Sequence, residues 1–190
     1  MNNLLASVLF FIIITVGCKE VSPYNGPADL PKISYHPKPY LLNIPRDFPQ
    51  IKIANDNPLT EEGVALGRRL FHDPILSADS TMSCSSCHIS SLSFTDGNAL
   101  SKGIDRKEGR RSAMSLANIG FYKEGLFWDG RVKTLESQAL IPIEDTIELH
   151  NSLDNVIEKL KAHPDYPVYF RKAFGIDTLS QIDEFLLAKA

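Results

Sequence analysis

The chain has 190 residues, a formal net charge of −3 and a hydrophobic content of 43%, values that are ordinary for a soluble globular domain. This charge excludes the strongly basic surface on which nucleic-acid-binding proteins depend, so no nucleic-acid partner is expected. The length is sufficient for one domain with a hydrophobic core.

The first 20 residues indicate export. An apolar run over residues 4–14 is too short for a membrane-spanning helix, and it leads through small residues to Cys18 and the charged pair Lys19-Glu20. This pattern predicts a lipoprotein-type signal peptide, residues 1–17, with a lipid on the Cys18 thiol. We therefore expect a periplasmic protein that touches the membrane through a lipid anchor only. Because residues 1–3 carry no Lys or Arg, an uncleaved anchor or an ordinary signal peptide is the alternative.

A proline-rich segment follows, with eight of the twelve prolines between residues 19 and 58. It has no periodic apolar pattern, so we interpret residues 18–58 as a tether followed by a strap along the domain surface. The domain itself is expected over residues 59–190.

Helical patterns begin at Thr60, a candidate N-cap, and the first helix should stop at Pro74. The Ser-, Gly- and Asp-rich stretch 77–109 predicts a long loop. Strand signals are scarce, so the sequence predicts an all-α fold of the cytochrome c type with long loops. The later helices are expected at Ser112–Asn118, Thr134–Leu140, Ser152–His163, Pro164–Phe174 and Ser180–Ala190, with Ser152 and Ser180 as candidate N-caps.

The most informative motif lies within that loop, where Cys84-Ser85-Ser86-Cys87 is followed directly by His88. Two cysteines three apart with an adjacent histidine form the attachment signature of a c-type haem. The thiols reach two haem vinyl groups, and the imidazole reaches the iron. A thioredoxin-like dithiol would need alternating strands and helices, and a structural zinc site would need further ligands. We therefore expect heme c, bound covalently, one per chain.

Residues 57–149 resemble the N-terminal haem domain of the bacterial di-haem cytochrome c peroxidases and their methylamine-utilisation relatives. Several short motifs carry the resemblance in the family's order. They are Asn57-Pro58-Leu59-Thr60, Leu66-Gly67-Arg68-Arg69-Leu70-Phe71, Asp73-Pro74-Ile75-Leu76-Ser77, the haem motif, Phe94-Thr95-Asp96-Gly97, Phe127-Trp128-Asp129-Gly130-Arg131 and Leu135-Glu136-Ser137-Gln138-Ala139.

The resemblance implies a role for several residues. His88 would be the axial ligand of the peroxidatic haem, and Trp128 the aromatic side chain between two haems. Gln138 and Glu148 would form the distal pair that moves protons during cleavage of hydrogen peroxide. Arg111 would face a haem propionate. The expected electron donor is a small cytochrome c or a cupredoxin.

The sequence departs from the family pattern at three points. Ile104 stands where many members have a histidine that caps the haem iron, which implies an open iron. Ser112 stands where an Asn commonly helps to hold a calcium ion, so calcium lacks one expected ligand. A second Cys-x-x-Cys-His is absent, and we expect the chain to be truncated before a missing second haem domain.

Three functions compete at this point. The first is reduction of hydrogen peroxide to water. The second is electron transfer by a mono-haem cytochrome c without catalysis, which would require a sixth ligand that the sequence does not obviously supply. The third is oxidation of a partner protein's side chain by the haem.

Overall fold

A computed structural model describes residue 30 and residues 32–190 of the chain. The predicted signal peptide and Cys18 lie outside the described residues, so lipid attachment and export stay predictions. In the part that is described, no helix is both long and apolar enough to cross a membrane.

The fold is all-α and cytochrome c-like, as the sequence predicted. Over residue 30 and residues 32–190 there are no strands, only four isolated β-bridges. The helices of this part are α1 (Glu61–His72), α2 (Cys84–Cys87), α3 (Leu135–Glu144), α4 (Leu153–Ala162), α5 (Tyr166–Phe174) and α6 (Glu184–Lys189), with short 3-10 turns at Pro74–Leu76, Ser90–Leu92, Ile104–Arg106, Ile119–Phe121 and Leu179–Gln181.

Two N-caps were predicted correctly. The Thr60 hydroxyl accepts a hydrogen bond from the Gly63 amide at 3.0 Å, and the Ser152 hydroxyl accepts one from Asn155 at 3.2 Å. Each bond satisfies an amide that the first turn of a helix leaves without a partner. The start of α1 and the start of α4 therefore follow from local sequence.

The helix expected at Ser112–Asn118 is wrong. Its residues instead run beside the preceding loop, where the Thr95 hydroxyl donates to the Ala113 carbonyl at 3.0 Å and the Ser115 hydroxyl donates to the Ser93 carbonyl at 2.6 Å. Asn118 adopts a left-handed conformation, φ 59°. Side-chain bonds to the loop thus replace the helical ladder that the pattern suggested.

The last expected helix, Ser180–Ala190, is broken, and Ser180 is not its N-cap. A 3-10 turn ends at Gln181, and the Asp183 carboxylate then accepts the Leu186 amide at 2.9 Å, which starts α6 at Glu184. Helix α3 also ends later than predicted, at Glu144, with Pro142 inside it.

The hydrophobic core lies between α1, α4, α5 and α6. Helix α1 packs on α5, α5 packs on α4, and α3 packs on α6. Leu66 of α1 and Phe170 of α5 are fully buried, and burial of such a side chain contributes about 1.5–3 kcal/mol. The buried Tyr166 hydroxyl donates to Asp73 at 2.7 Å, so its polar atom is satisfied. Because α1 also contacts α2, this core positions the haem motif.

Residues 32–59 form no helix or strand, and most of them are exposed on the surface of the domain. Arg171 donates through Nε to the Ile33 carbonyl at 3.1 Å, and the Tyr40 amide donates to the Leu59 carbonyl at 3.0 Å. These bonds anchor the segment to α5 and to the start of α1. The domain boundary at residue 58 stays a prediction.

Candidate haem-attachment site

The two cysteines of the haem motif lie on α2, a single helical turn. The Ser83 amide donates to the Ser86 hydroxyl at 3.1 Å, and the His88 amide donates to the Cys84 carbonyl at 3.0 Å, so both ends of the turn are closed. A helical turn brings residues three apart to the same face. Cys84 and Cys87 therefore present their free thiols side by side, with His88 directly beyond them.

Both thiols are held in the protonated form. Burial raises the pKa of Cys84 to about 11, and the carboxylate of Glu148 adds to this rise. Burial likewise raises the pKa of Cys87 to about 11, followed by the effects of Asp96, Glu148 and Cys84. Reactive redox dithiols have lowered pKa values, so the environment disfavours a thioredoxin-like role for the pair.

The ring of His88 is held by one backbone bond. Its Nδ1 lies 2.9 Å from the Phe94 carbonyl oxygen, which can only accept a hydrogen bond, so Nδ1 carries the proton. Nε2 is then left as the nitrogen with a free lone pair. Metal-bound histidines are commonly fixed in this way, with the other ring nitrogen bonded to a carbonyl. The arrangement therefore suits an axial ligand of haem iron.

The loop that supplies this carbonyl is strained. Ser93 and Phe94 are consecutive non-glycine residues in the left-handed region, with φ 57° and 59°, and each such residue costs about 1–3 kcal/mol. Bridges between Ile89 and Thr95 close the loop, with the Ile89 amide 3.1 Å from the Thr95 carbonyl. Strain of this kind persists where the surrounding structure holds it, and here it directs the Phe94 carbonyl at His88.

A second loop packs directly against the turn that carries Glu148. The Ile104 amide donates to the Glu148 carbonyl at 2.9 Å, and a Cβ atom added at Gly103 would overlap the carbonyl oxygen of Ile147. The Cys87 thiol lies 3.6 Å from the Lys102 carbonyl of the same loop. Residues 102–104 therefore connect the haem motif to the turn at 147–148, and only glycine fits at position 103.

The surroundings of the Glu148 carboxyl group favour its protonated form more than water does. Glu148 is exposed as a whole residue, yet neighbouring atoms crowd its carboxyl group, and this desolvation raises its pKa above the ordinary value. The Asp145 carboxylate adds to the rise, while Arg131 and Arg110 oppose it. The loop over residues 102–104 contacts both the Glu148 carbonyl and the Cys87 thiol, so the Glu148 turn lies on the haem-motif side of the domain.

Gln138, the other member of the predicted distal pair, lies on α3. Its Oε1 atom is buried and accepts no hydrogen bond from residue 30 or residues 32–190. A buried acceptor without a partner costs about 1–3 kcal/mol, so it marks a place where a donor is missing. In the described part of the chain, no hydrogen bond joins Gln138 to Glu148.

The predicted electron-transfer tryptophan is on the surface. Trp128 is 62% exposed, and its Nε1 donates to the Ser112 carbonyl at 2.9 Å, which holds the indole in place. Arg111, predicted to face a haem propionate, pairs with Asp129 at 3.1 Å, and Arg131 binds the same carboxylate at 3.0 Å. These ion pairs are partly exposed, so they contribute little to stability and can exchange partners.

The residues present fit a covalently bound haem. Cys84 and Cys87 would hold it, and His88 would be its axial ligand. The loop after His88 leaves four large apolar side chains exposed, which a large apolar cofactor can cover. They are Ile89, Leu92, Phe94 and Leu100. Over residue 30 and residues 32–190, no group of three or more His, Cys, Asp or Glu side chains is arranged to hold a metal ion.

Comparison with known proteins identifies the family of this chain. The family model for di-haem cytochrome c peroxidase matches residues 61–190. The chain belongs to the di-haem cytochrome c peroxidase family, as the motifs indicated.

Three proteins show how far the similarity extends. Methylamine utilization protein MauG of Methylorubrum extorquens is 43% identical over 119 residues, covering 63% of this chain and 33% of that protein. Cytochrome-c peroxidase IdrP1 of Denitromonas iodatirespirans is 30% identical over 171 residues, covering 90% and 42%. The crystal structure of a MauG-like protein associated with microbial copper homeostasis superposes with a TM-score of 0.68 at 33% identity, covering 79% and 45%. The chain thus spans less than half the length of these relatives.

Proposed function

We propose that this chain is the peroxide-reducing haem half of an exported enzyme, which takes its electrons from a small cytochrome c or a cupredoxin. One haem c is attached through Cys84 and Cys87, with His88 as axial ligand. The observation that carries the proposal is the hydrogen bond between the His88 ring and the Phe94 carbonyl, because it leaves Nε2 as the nitrogen that can bind iron.

Reduction of one peroxide to two waters requires two electrons and two protons. The haem, when bound, supplies the iron at which peroxide is reduced. The carboxylate of Glu148 takes the proton from one peroxide oxygen and delivers it to the other. Its raised pKa suits this work, since a proton shuttle is most effective when its pKa approaches the working pH. The Oε1 atom of Gln138, which has no donor among the described residues, accepts a hydrogen bond from the bound peroxide.

Electrons enter through a second haem domain of the kind that the family contains. We place its contact surface around Trp128, because this large aromatic side chain is exposed while its indole nitrogen is fixed. Arg111 can exchange Asp129 for a haem propionate, since their ion pair is partly exposed. Export and a lipid on Cys18 belong to the same proposal.

A second candidate is oxidation of a side chain of a partner protein. It is supported by the 43% identity to a methylamine utilization protein MauG, and by Ile104 at the position of the capping histidine. Both candidates use the same haem site and differ in what donates the electrons. The peroxide reaction is common to them, so it is the step to test first.

The ferric haem should be open on the side opposite His88. Ile104 is buried and apolar, and its amide is bound to the Glu148 carbonyl, so this position offers no ligand to the iron. Electron paramagnetic resonance of the haem-loaded chain should show a high-spin ferric signal, and millimolar peroxide should change the haem spectrum within seconds. A purely low-spin bis-histidine signal with no response to peroxide would overturn the proposed function.

A further inference from the structure

The ammonium group of Lys159, on α4, is surrounded by oxygen atoms of the loop before the haem motif. Its Nζ lies 2.8 Å from the Ser77 carbonyl, 3.2 Å from the Ala78 carbonyl and 3.3 Å from the Ile75 carbonyl. The Ser80 hydroxyl is a fourth neighbour at 3.3 Å. A lysine ammonium has three donors and no acceptor, so it matches a cluster of carbonyl oxygens.

This cluster would be unfavourable without a cation. Carbonyl dipoles that converge with their oxygen atoms together repel one another, and an unpaired carbonyl in a partly buried place costs about 1–3 kcal/mol. Ser80 also adopts a left-handed conformation, φ 57°, which holds the chain in this tight path. The loop over residues 75–80 is therefore shaped around the Lys159 ammonium.

The same loop is bonded to the haem motif. The Ser77 side chain is fully buried, donates to the Pro74 carbonyl at 3.0 Å and accepts the Met82 amide at 3.2 Å. Met82 packs against the core and is followed by Ser83, the N-cap of α2. The position of Ser77 thus sets where α2 and its two cysteines begin.

The loop is also bonded to the turn that carries Glu148. The Ala78 amide donates to the Leu149 carbonyl at 3.0 Å, and the Asn151 side chain donates to the Leu76 carbonyl at 3.0 Å. One short loop is therefore the shared support of the haem motif on one side and of Glu148 on the other.

We propose that Lys159 is a positioning residue. It holds the loop over residues 75–80 in place, and this loop fixes the turn that carries Glu148 relative to the haem motif. Lys159 touches neither substrate nor haem and acts through the loop. The inference rests on the proposed function in one respect: the distance that Lys159 fixes is the one between Glu148, the proton shuttle, and the haem.

Lys159→Met removes the ammonium and keeps a long apolar stem, so it isolates the charge. Lys161→Met is the matched control, because Lys161 lies on the same helix and, among the described residues, forms an ion pair only with the exposed Glu158 at 3.1 Å. Amide hydrogen exchange of the haem-loaded chain, followed by mass spectrometry of peptides, reports each segment separately. We expect exchange in residues 77–82 and 145–150 to accelerate at least tenfold in Lys159→Met and to stay unchanged in Lys161→Met.

The exchange rates of the separate segments distinguish a positioning role of Lys159 from a general contribution to the stability of the fold. Peptides from α1 and α5 should keep the wild-type exchange rates in Lys159→Met, and the ferric resonance signal should broaden as the haem surroundings become heterogeneous. Equal acceleration in all segments would show that Lys159 only stabilises the fold, and unchanged exchange in residues 77–82 would show that the loop does not need it. Either result overturns the inference.

Chemical rescue keeps the test sharp if Lys159→Met is poorly folded. In Lys159→Ala, added n-butylammonium should restore the slow exchange of residues 77–82, whereas n-butanol of the same length should not. Equal rescue by both compounds would mean that packing matters rather than charge, and would contradict the inference. Loss of covalent haem from the wild-type chain would overturn the proposed function and would leave the exchange of the loop still measurable.

Discussion

Replacing Glu148 with glutamine is expected to slow the reaction of the haem-loaded protein with hydrogen peroxide by roughly 10²–10⁴-fold, the usual effect of losing a positioned acid–base group. Glutamine keeps the size of the side chain and the backbone bond from Ile104, but it cannot take up a proton. Stopped-flow absorbance of the haem after mixing with peroxide measures the rate, in the chain joined to a second haem domain of the kind that its relatives contain.

The proposed role of Glu148 also predicts how the rate of the peroxide reaction changes with pH. A protonated Glu148 cannot accept the proton from peroxide, so the wild-type rate should fall as the pH drops through the pKa of this carboxyl group. Because crowding raises that pKa, the fall should occur at a higher pH than for an ordinary glutamate. The fall should be absent in Glu148→Gln.

The control for this experiment is Glu144→Gln, at the exposed end of α3, which should leave the rate unchanged. Haem content and spectrum must match those of the wild type in both variants, which excludes a folding defect. If Glu148→Gln reacts at the wild-type rate, Glu148 is a solvated surface acid, and water moves the proton.

Gly103→Ala is expected to destabilise the fold by about 3 kcal/mol, at the upper end of the usual range for overpacking. The added methyl group would overlap the Ile147 carbonyl, which is backbone and cannot rotate away. For a chain of this size the loss corresponds to a fall in Tm of roughly 6–12 °C. Calorimetry of the haem-loaded chain measures it, and the displaced turn should slow the peroxide reaction as well.

Gly120→Ala is the matched control for this substitution. A methyl group there would meet the Ile51 side chain at 3.4 Å, an ordinary van der Waals contact, so its Tm should stay within a few degrees of wild type. Equal Tm values for the two variants would contradict the close packing of the loop at residues 102–104 against the Glu148 turn.

Local sequence predicted the helices where caps and apolar spacing agree, as in α1 and α4. It failed at Ser112–Asn118, where Thr95 and Ser115 bond across to another loop, because such contacts depend on residues distant in the chain. It also missed the break before α6, where Asp183 offers a better cap than Ser180. Competition between two possible caps is decided by tertiary packing.

In the candidate site, the sequence predicted the side chains that carry chemistry, but not the contacts that hold them in place. The spacing of Cys84, Cys87 and His88 identified the attachment motif, and the family motifs pointed to Glu148. The carbonyl of Phe94 and the ammonium of Lys159 could not be predicted, since a backbone carbonyl has no sequence signature and an isolated lysine on a helix usually faces solvent. Both act through contacts that only the folded chain creates.

The central claim is that Cys84 and Cys87 hold a haem covalently, and the mass of the protein after acid–acetone extraction tests it most directly. The chain must be exported in a cell that has a c-type haem maturation system. We expect the extracted wild-type protein to retain the mass of one haem, and the double variant Cys84→Ser with Cys87→Ser to retain none. Haem released into the solvent from the wild-type protein would contradict the account.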